Sequence, residues 1–135
     1  MRRLLILLLI SLPGFGLAQE ALVLMGHGSL PKTEQALLQR LYTGRVVSIG
    51  ELVAIPVNYP VGNPLRERFL AQVMGQSEEQ YTGYWLVRRY VGKGAPPLEL
   101  PDVDSVVTYV LATPGAVGYV PLSKVPPGGN VIFRR

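Results

Sequence analysis

Thr113-Pro114-Gly115-Ala116-Val117-Gly118-Tyr119-Val120 is the stretch on which the fold turns. Proline cannot continue a helix, and glycine accepts the backbone angles of a sharp turn, so Thr113-Pro114-Gly115 reads as a stop. Ala116 to Val120 is a short apolar run, which suits a buried strand. Just upstream, Val103, Val106, Val107, Val110 and Leu111 follow one another at steps of three, one, three and one, and Asp102 stands where an N-cap belongs. A capped helix that stops and feeds a buried strand is a building block of a layered α/β domain.

The same punctuation continues towards the N-terminus. Ser77 with Gln80 forms a capping box for a helix that carries Tyr81, Tyr84, Trp85 and Arg88. Tyr81, Tyr84 and Trp85 share one helical face, so core packing is their expected role; a partner-binding patch that also uses Tyr90 is the alternative. Gly92, Gly94, Pro96 and Pro97 close that segment. Before it, Asn63 is a good N-cap and Pro64 sits at the first helical position, where its missing N–H costs nothing. Leu65, Phe69, Leu70 and Val73 then make one apolar stripe that ends at Gly75. Residues 52–59 (LVAIPVNY) read as a strand, with Pro56 marking an edge, a bulge or a strand start. Residues 32–41 carry Leu37, Leu38 and Leu41 at helical spacing and meet Gly44 as a stop, while residues 45–50 fit neither period. Residues 21–25 (ALVLM) suit a buried strand, 26–29 a loop, 126–129 a turn, and 130–133 a terminal strand.

The first residues address the chain rather than fold it. Arg2 and Arg3 precede a nearly unbroken apolar run over residues 4–12, Pro13 and Gly14 break it, and Gly16-Leu17-Ala18 offers small residues at the positions a signal peptidase reads. The run is too short to span a bilayer. The expectation is a signal peptide over residues 1–18 and a domain over residues 19–135, exported to the periplasm, with no stable membrane insertion after cleavage. Removing 18 of the 135 residues leaves 117, enough for one domain with one modest core. The chain has no cysteine, so packing alone must hold it. Loss of Arg2 and Arg3 reduces the 13 Lys+Arg to 11 against 9 Asp+Glu. The remaining basic residues are scattered, which is no footprint for nucleic acid.

An enzyme needs a nucleophile with a base, paired carboxylates or a metal cluster. The one histidine, His27, lies between glycines in an expected loop and reads as a solvated residue. Asp102 and Asp104 are explained as a cap and as partners of a helix dipole. The expectation is therefore a non-enzyme with no cofactor and no metal. The constellation with a chemical use is Asn58-Tyr59-Pro60-Val61-Gly62-Asn63-Pro64-Leu65-Arg66: a strand ends, a glycine turn follows, and a helix begins with arginine in its first turn. Free N–H groups and the positive end of the helix dipole suit an anion there. Gly62 permits close backbone approach, Arg66 offers a fork of donors, and Asn58 and Asn63 carry amides. The opposing reading is that Asn63 caps the helix and uses up its N–H groups, while Arg66 is a surface residue.

The series Leu41-Tyr42-Thr43-Gly44-Arg45, Ala54-Ile55-Pro56-Val57-Asn58, Leu65-Arg66-Glu67-Arg68-Phe69, Tyr84-Trp85 and Thr113 to Val120 resembles the central and C-terminal part of the phosphate-binding proteins of ABC transporters. The resemblance covers residues 37–120 and implies a single three-layer α/β lobe of the periplasmic-binding-protein type, shortened at its N-terminal side. In that family an Arg-x-x-x-Ser-Gly-Thr turn opens a helix; here Gly62-Asn63-Pro64 replaces the hydroxyl donors, and the leading arginine falls near Asn58. The resemblance implies the fold and an exported solute-binding-like protein, and of the site it carries over Gly62 and the helix start. With the strand–turn–helix constellation the expectation is weak binding of phosphate or another small oxyanion at Asn58, Gly62, Asn63 and Arg66, for uptake or sensing. The alternative is an interaction module without a ligand that docks on an envelope sensor, channel or transporter, or on a second copy of itself.

Overall fold

The computed structural model describes residues 20–135. The signal-peptide expectation for residues 1–18 lies outside them, as does the expected domain start at residue 19.

The stretch at 113–120 becomes strand β6 (Ala116–Pro121), and its two glycines explain its place. Gly115 has φ +82°, and a Cβ there would run into the carbonyl oxygen of Val53. Only glycine lets the chain turn so close to its neighbour before entering the sheet. A Cβ on Gly118 would lie 2.5 Å from Val106 Cγ1 and 3.0 Å from Val57 Cγ2. The missing side chain lets helix α4 (Val103–Ala112) settle onto the sheet with Val106 and Val110 fully buried. Asp102 caps that helix by accepting from the Ser105 N–H at 2.8 Å. Leu111, expected on the apolar stripe, stands half exposed at its outer edge.

Five strands form the main sheet, in the order β5 (Leu98–Glu99), β4 (Ile55–Asn58), β6, β1 (Leu22–Gly26) and β7 (Asn130–Arg134). β4 runs parallel to β5 and β6, and β1 runs antiparallel to β6 and β7. β1 is buried at every position, as an unbroken apolar run in a central strand should be. The expected strand over residues 52–59 is divided. Leu52–Val53 is β3 and pairs with β2 (Ser48–Ile49) in a separate hairpin, turned by Gly50 at φ +59°. The chain switches sheets at Ala54, whose N–H donates to Val47 while the next N–H, on Ile55, donates to Gly115. Pro56 is the second residue of β4, and pairing to β5 begins only at Val57, so its missing N–H falls where the ladder has one side.

Helices α1 (Gln35–Tyr42), α2 (Pro64–Phe69) and α3 (Glu78–Tyr90) complete the fold. α1 starts later than residue 32 because the Thr33 N–H donates to Ile132 and Glu34 is still extended. The stripe expected as one helix up to Gly75 is α2 followed by a π-helical turn, Leu70–Met74, that ends on left-handed Gly75. Gln35 and Gln39 of α1 both donate side-chain N–H groups to the Val73 carbonyl of that turn, at 3.0 and 2.9 Å. The capping box of α3 is present in both directions.

Side chains on β6 alternate between two layers. Gly118 faces α4; Tyr119 faces the opposite side, stacked on Phe69 at 4.1 Å and near Tyr42 and Tyr59. Each buried tyrosine hydroxyl is satisfied: Tyr42 donates to Val57 O, Tyr59 to Tyr119 O, Tyr81 to Tyr42 O, and Tyr119 to Asn58 Oδ1. This gives aromatic bulk without the desolvation cost of an unpaired hydroxyl. With helices on both faces of a mixed sheet, the expected three-layer α/β architecture is met.

Candidate functional site

β4 ends at Asn58, the chain turns over Pro60, Val61 and Gly62, and α2 begins, as expected of the strand–turn–helix constellation. The helix start is closed by its own cap. Asn63 Oδ1 accepts from the N–H groups of Leu65 (2.8 Å) and Arg66 (3.4 Å), Glu67 N–H donates to the Asn63 carbonyl, and Asn63 N–H donates to Pro60. The expectation of free amides at this tip is corrected. A short amide side chain at the N-cap reaches those donors without any ligand. Gly62 has φ +92° and open space where a Cβ would stand.

Arg66 is buried rather than a surface residue. It makes a two-pronged ion pair with Glu78, Nε to Oε1 at 2.7 Å and Nη2 to Oε2 at 2.9 Å, and donates from Nη1 to the Tyr59 carbonyl at 2.9 Å. Glu99 stands 3.9 Å from Nη1, and the guanidinium lies over the Tyr81 ring at 5.4 Å. Burial works against the charged forms of both partners. Their hydrogen bonds outweigh it, raising Arg66 and lowering Glu78 from their ordinary pKa values, with Thr82 adding a bond to Glu78. The placement follows from two caps: Asn63 fixes Arg66 in the first turn of α2, and Ser77 fixes Glu78 in the first turn of α3.

Asn58 is 1% exposed. Its Oδ1 accepts from the Tyr59 N–H (2.9 Å) and from the Tyr119 hydroxyl. The Tyr59 N–H can only donate, which fixes its partner atom as oxygen and the other as the amide nitrogen. That Nδ2 has no hydrogen-bond partner among the described residues. Burial holds the Tyr81 phenol up at about 12, while Trp85, the Arg66 charge and then the Asn58 amide draw it down, the amide without reaching hydrogen-bond geometry. A buried amide donor left unpaired costs about 1–3 kcal/mol. Among the described residues Thr33 Oγ1, Gln76 Oε1, Arg68 Nε and Arg88 Nε are also buried without a partner, and of the five residues Asn58 alone lines a cavity together with Arg66.

Asn58 and Arg66 share the wall of a half-open cavity of about 170 Å³. Its apolar side is made by Val61, Trp85, Leu86, Pro96 and Pro97, and Arg89 and Glu99 stand at it as exposed charges. Of the four residues expected at a ligand site, the structure brings Asn58 and Arg66 to this cavity and leaves Gly62 and Asn63 off its wall. Glu78, Arg89 and the Pro96–Glu99 segment were not legible in the sequence. Their only local signals were a helix start and a closing turn. β5 carries that segment to the site by pairing Asn58 with Glu99, and the Leu100 N–H donates to the Asn58 carbonyl.

The aromatic helix divides as expected only in part. Tyr81 and Trp85 are buried, with Trp85 Nε1 donating to Tyr42 O at 3.2 Å, while Tyr84 is half-buried and donates to Thr43 O. The opposite face of α3 and its end expose Leu86 (70%), Val87, Tyr90 (91%) and Val91. His27 lies in the turn after β1 with Nδ1 3.0 Å from Ser29 Oγ. Among the described residues no group of three or more His, Cys, Asp or Glu is placed to hold a metal ion, and no helix is long and apolar enough to cross a membrane.

No protein-family model matches the chain, and no curated protein matches it in sequence. Solved structures do match it in fold. An ABC-type phosphate transport receptor from Vibrio cholerae superposes with TM-score 0.64 at 16% identity, over 84% of this chain and 45% of the receptor. A protein from Clostridium perfringens, described as a phosphate ABC transporter substrate-binding protein and solved with bound phosphate, gives TM-score 0.65 at 15% identity, over 84% of this chain and 44% of its own. The chain thus spans under half the length of the receptors it matches. The likeness is one of fold, and it agrees with the shortened, one-lobe α/β form that the motif series implies.

Proposed function

We propose that the chain is an exported, non-enzymatic solute-binding-like protein, with a signal peptide over residues 1–18 and a domain over residues 19–135, that holds a small oxyanion weakly beside Asn58 and Arg66. Phosphate is the ligand named for the Clostridium perfringens protein of like fold, and it is the first oxyanion to try. One observation supports the reading: Asn58, whose buried amide nitrogen has no partner among the described residues, and the buried Arg66 line one cavity. Three of the five guanidinium N–H groups are engaged, so Arg66 retains donors for a ligand. Gly62 and Asn63 serve this reading by shaping the turn that carries Val61 to the cavity, rather than by donating. The half-open form lets water compete, so binding is weak and salt-sensitive. Calorimetry of the mature chain with phosphate tests it: heat that saturates within millimolar ligand is expected and disappears in Asn58→Asp. Absence of heat for phosphate and for other small oxyanions alike overturns the reading.

The exposed face of α3 favours a second reading, a docking module of the envelope. Leu86, Val87, Tyr90 and Val91 are apolar and stand exposed among the described residues. Sedimentation of the mature chain tests the homodimer form of this reading: Tyr90→Asp should dissociate any dimer, and a monomer at about 100 μM rejects it.

A further inference from the structure

The lining of the Asn58–Arg66 cavity is of two unlike kinds. The polar part of the lining comprises Asn58, whose buried amide has no partner among the described residues, and an arginine whose charge is already answered. Arg66 is matched by Glu78 through two hydrogen bonds and faces Glu99 at 3.9 Å. Arg89 adds one positive charge at the same cavity. Two arginines and two glutamates leave no net positive field, so a doubly charged anion gains little here, whereas a singly charged group can still take the donors. The rest of the lining is largely apolar. Val61, Trp85, Leu86, Pro96 and Pro97 present rings and branched carbons, which inorganic phosphate cannot use. The volume of about 170 Å³ is close to that of apolar cavities that hold a benzene-sized body.

We infer that this cavity selects a small organic carboxylate carried on an apolar body of about six carbons over free inorganic phosphate. The inference rests on the oxyanion reading of the site and narrows it. Asn58 Nδ2 and the spare Arg66 N–H groups take the carboxylate. The ring or branched chain lies along Trp85 and Leu86, between them and the Pro96–Pro97 segment. Glu99 at the cavity repels a second negative charge, which is the discriminating element against phosphate.

Trp85 is the only tryptophan of the chain and lies on the cavity wall, so its emission reports occupancy directly. The test titrates the mature protein with cyclohexanecarboxylate, acetate, cyclohexanol and inorganic phosphate, using Trp85 fluorescence with calorimetry as the second measure. The expected order places cyclohexanecarboxylate at least about tenfold tighter than acetate or phosphate, from burial of several methylene groups. Leu86→Ser, at an exposed position that leaves the fold intact, should weaken cyclohexanecarboxylate severalfold and leave acetate unchanged. Asn58→Asp keeps the Oδ1 acceptor for Tyr59 and Tyr119 but replaces the donor, and should abolish binding of both carboxylates. Phosphate binding as tightly as cyclohexanecarboxylate overturns the inference and leaves the oxyanion reading standing. Cyclohexanol binding as tightly overturns the carboxylate assignment. No binding by any of the four removes the inference and the oxyanion reading together.

Discussion

The two neighbouring strands β4 and β6 each meet a glycine turn and a helix, yet they are built to opposite rules. At β6 the turn precedes the strand, and Gly115 touches the backbone of Val53 so closely that no side chain fits. Gly118 admits Val106, and Tyr119 stacks on Phe69 with its hydroxyl bonded. At β4 the turn follows the strand; Gly62 has open space around it, Val61 is exposed, and Asn58 keeps an unpartnered amide. The first junction spends every contact on the fold. The second holds polar groups that the fold does not consume, and such groups are where function is to be sought.

Three measurements sharpen or break this contrast. The largest effect of a single substitution is expected at the glycines. Gly115→Ala should lose about 3 kcal/mol or more in chemical denaturation, through backbone strain and collision with Val53. Gly62→Ala, strained in φ but free of contacts, should lose only about 1–2 kcal/mol. Equal losses would erase the distinction between the two turns.

Next comes pH. Burial raises the Tyr42, Tyr59, Tyr81 and Tyr119 phenols, with Tyr81 at about 12. A raised folded-state pKa means that the unfolded chain releases its protons first. Stability is therefore complete below about pH 10 and falls as pH climbs towards 12, by about 1.4 kcal/mol per unit for each such tyrosine. Thermal denaturation between pH 8 and 11 should show a decline that starts near 10. A flat profile would mean that the aromatic layer is not closed to water.

The smallest effect separates two carboxylates at the β4 site. Glu78→Gln breaks the two-pronged pair and leaves Arg66 buried with less than its charge partner, for an expected loss of about 2 kcal/mol. Glu99→Gln, nearly half exposed and 3.9 Å away, should stay within about 0.5 kcal/mol. Similar losses from both would show that Glu99 belongs to the structural pair.

What the sequence made legible was local. Asp102, Ser77 and Asn63 cap the helices expected of them because a cap needs only its own next three residues. Val106 and Val110 are buried because helical spacing alone puts them on one face. The rest depended on partners far along the chain. β3 and β4 separate at Ala54 because Val47 and Gly115 claim successive N–H groups. β5 is a strand only because Asn58 pairs with Glu99, and its two residues carry no period to read. The candidate site was half legible: strand end, glycine turn and arginine were visible, but the Arg66–Glu78 pair joins two helices, and Asn58 Oδ1 is claimed by Tyr119, 61 residues away. Long-range closures of this kind leave no trace in periodicity.

The margins of the main sheet carry one more consequence. β5 offers a visiting strand only the two residues Leu98–Glu99, set between Pro97 and Pro101, neither of which has an amide hydrogen to give. At the far margin, β7 ends in Arg134 next to Arg135, so two copies laid there in parallel register would bring like charges together. Both borders thereby discourage the sheet from growing from molecule to molecule into fibrils.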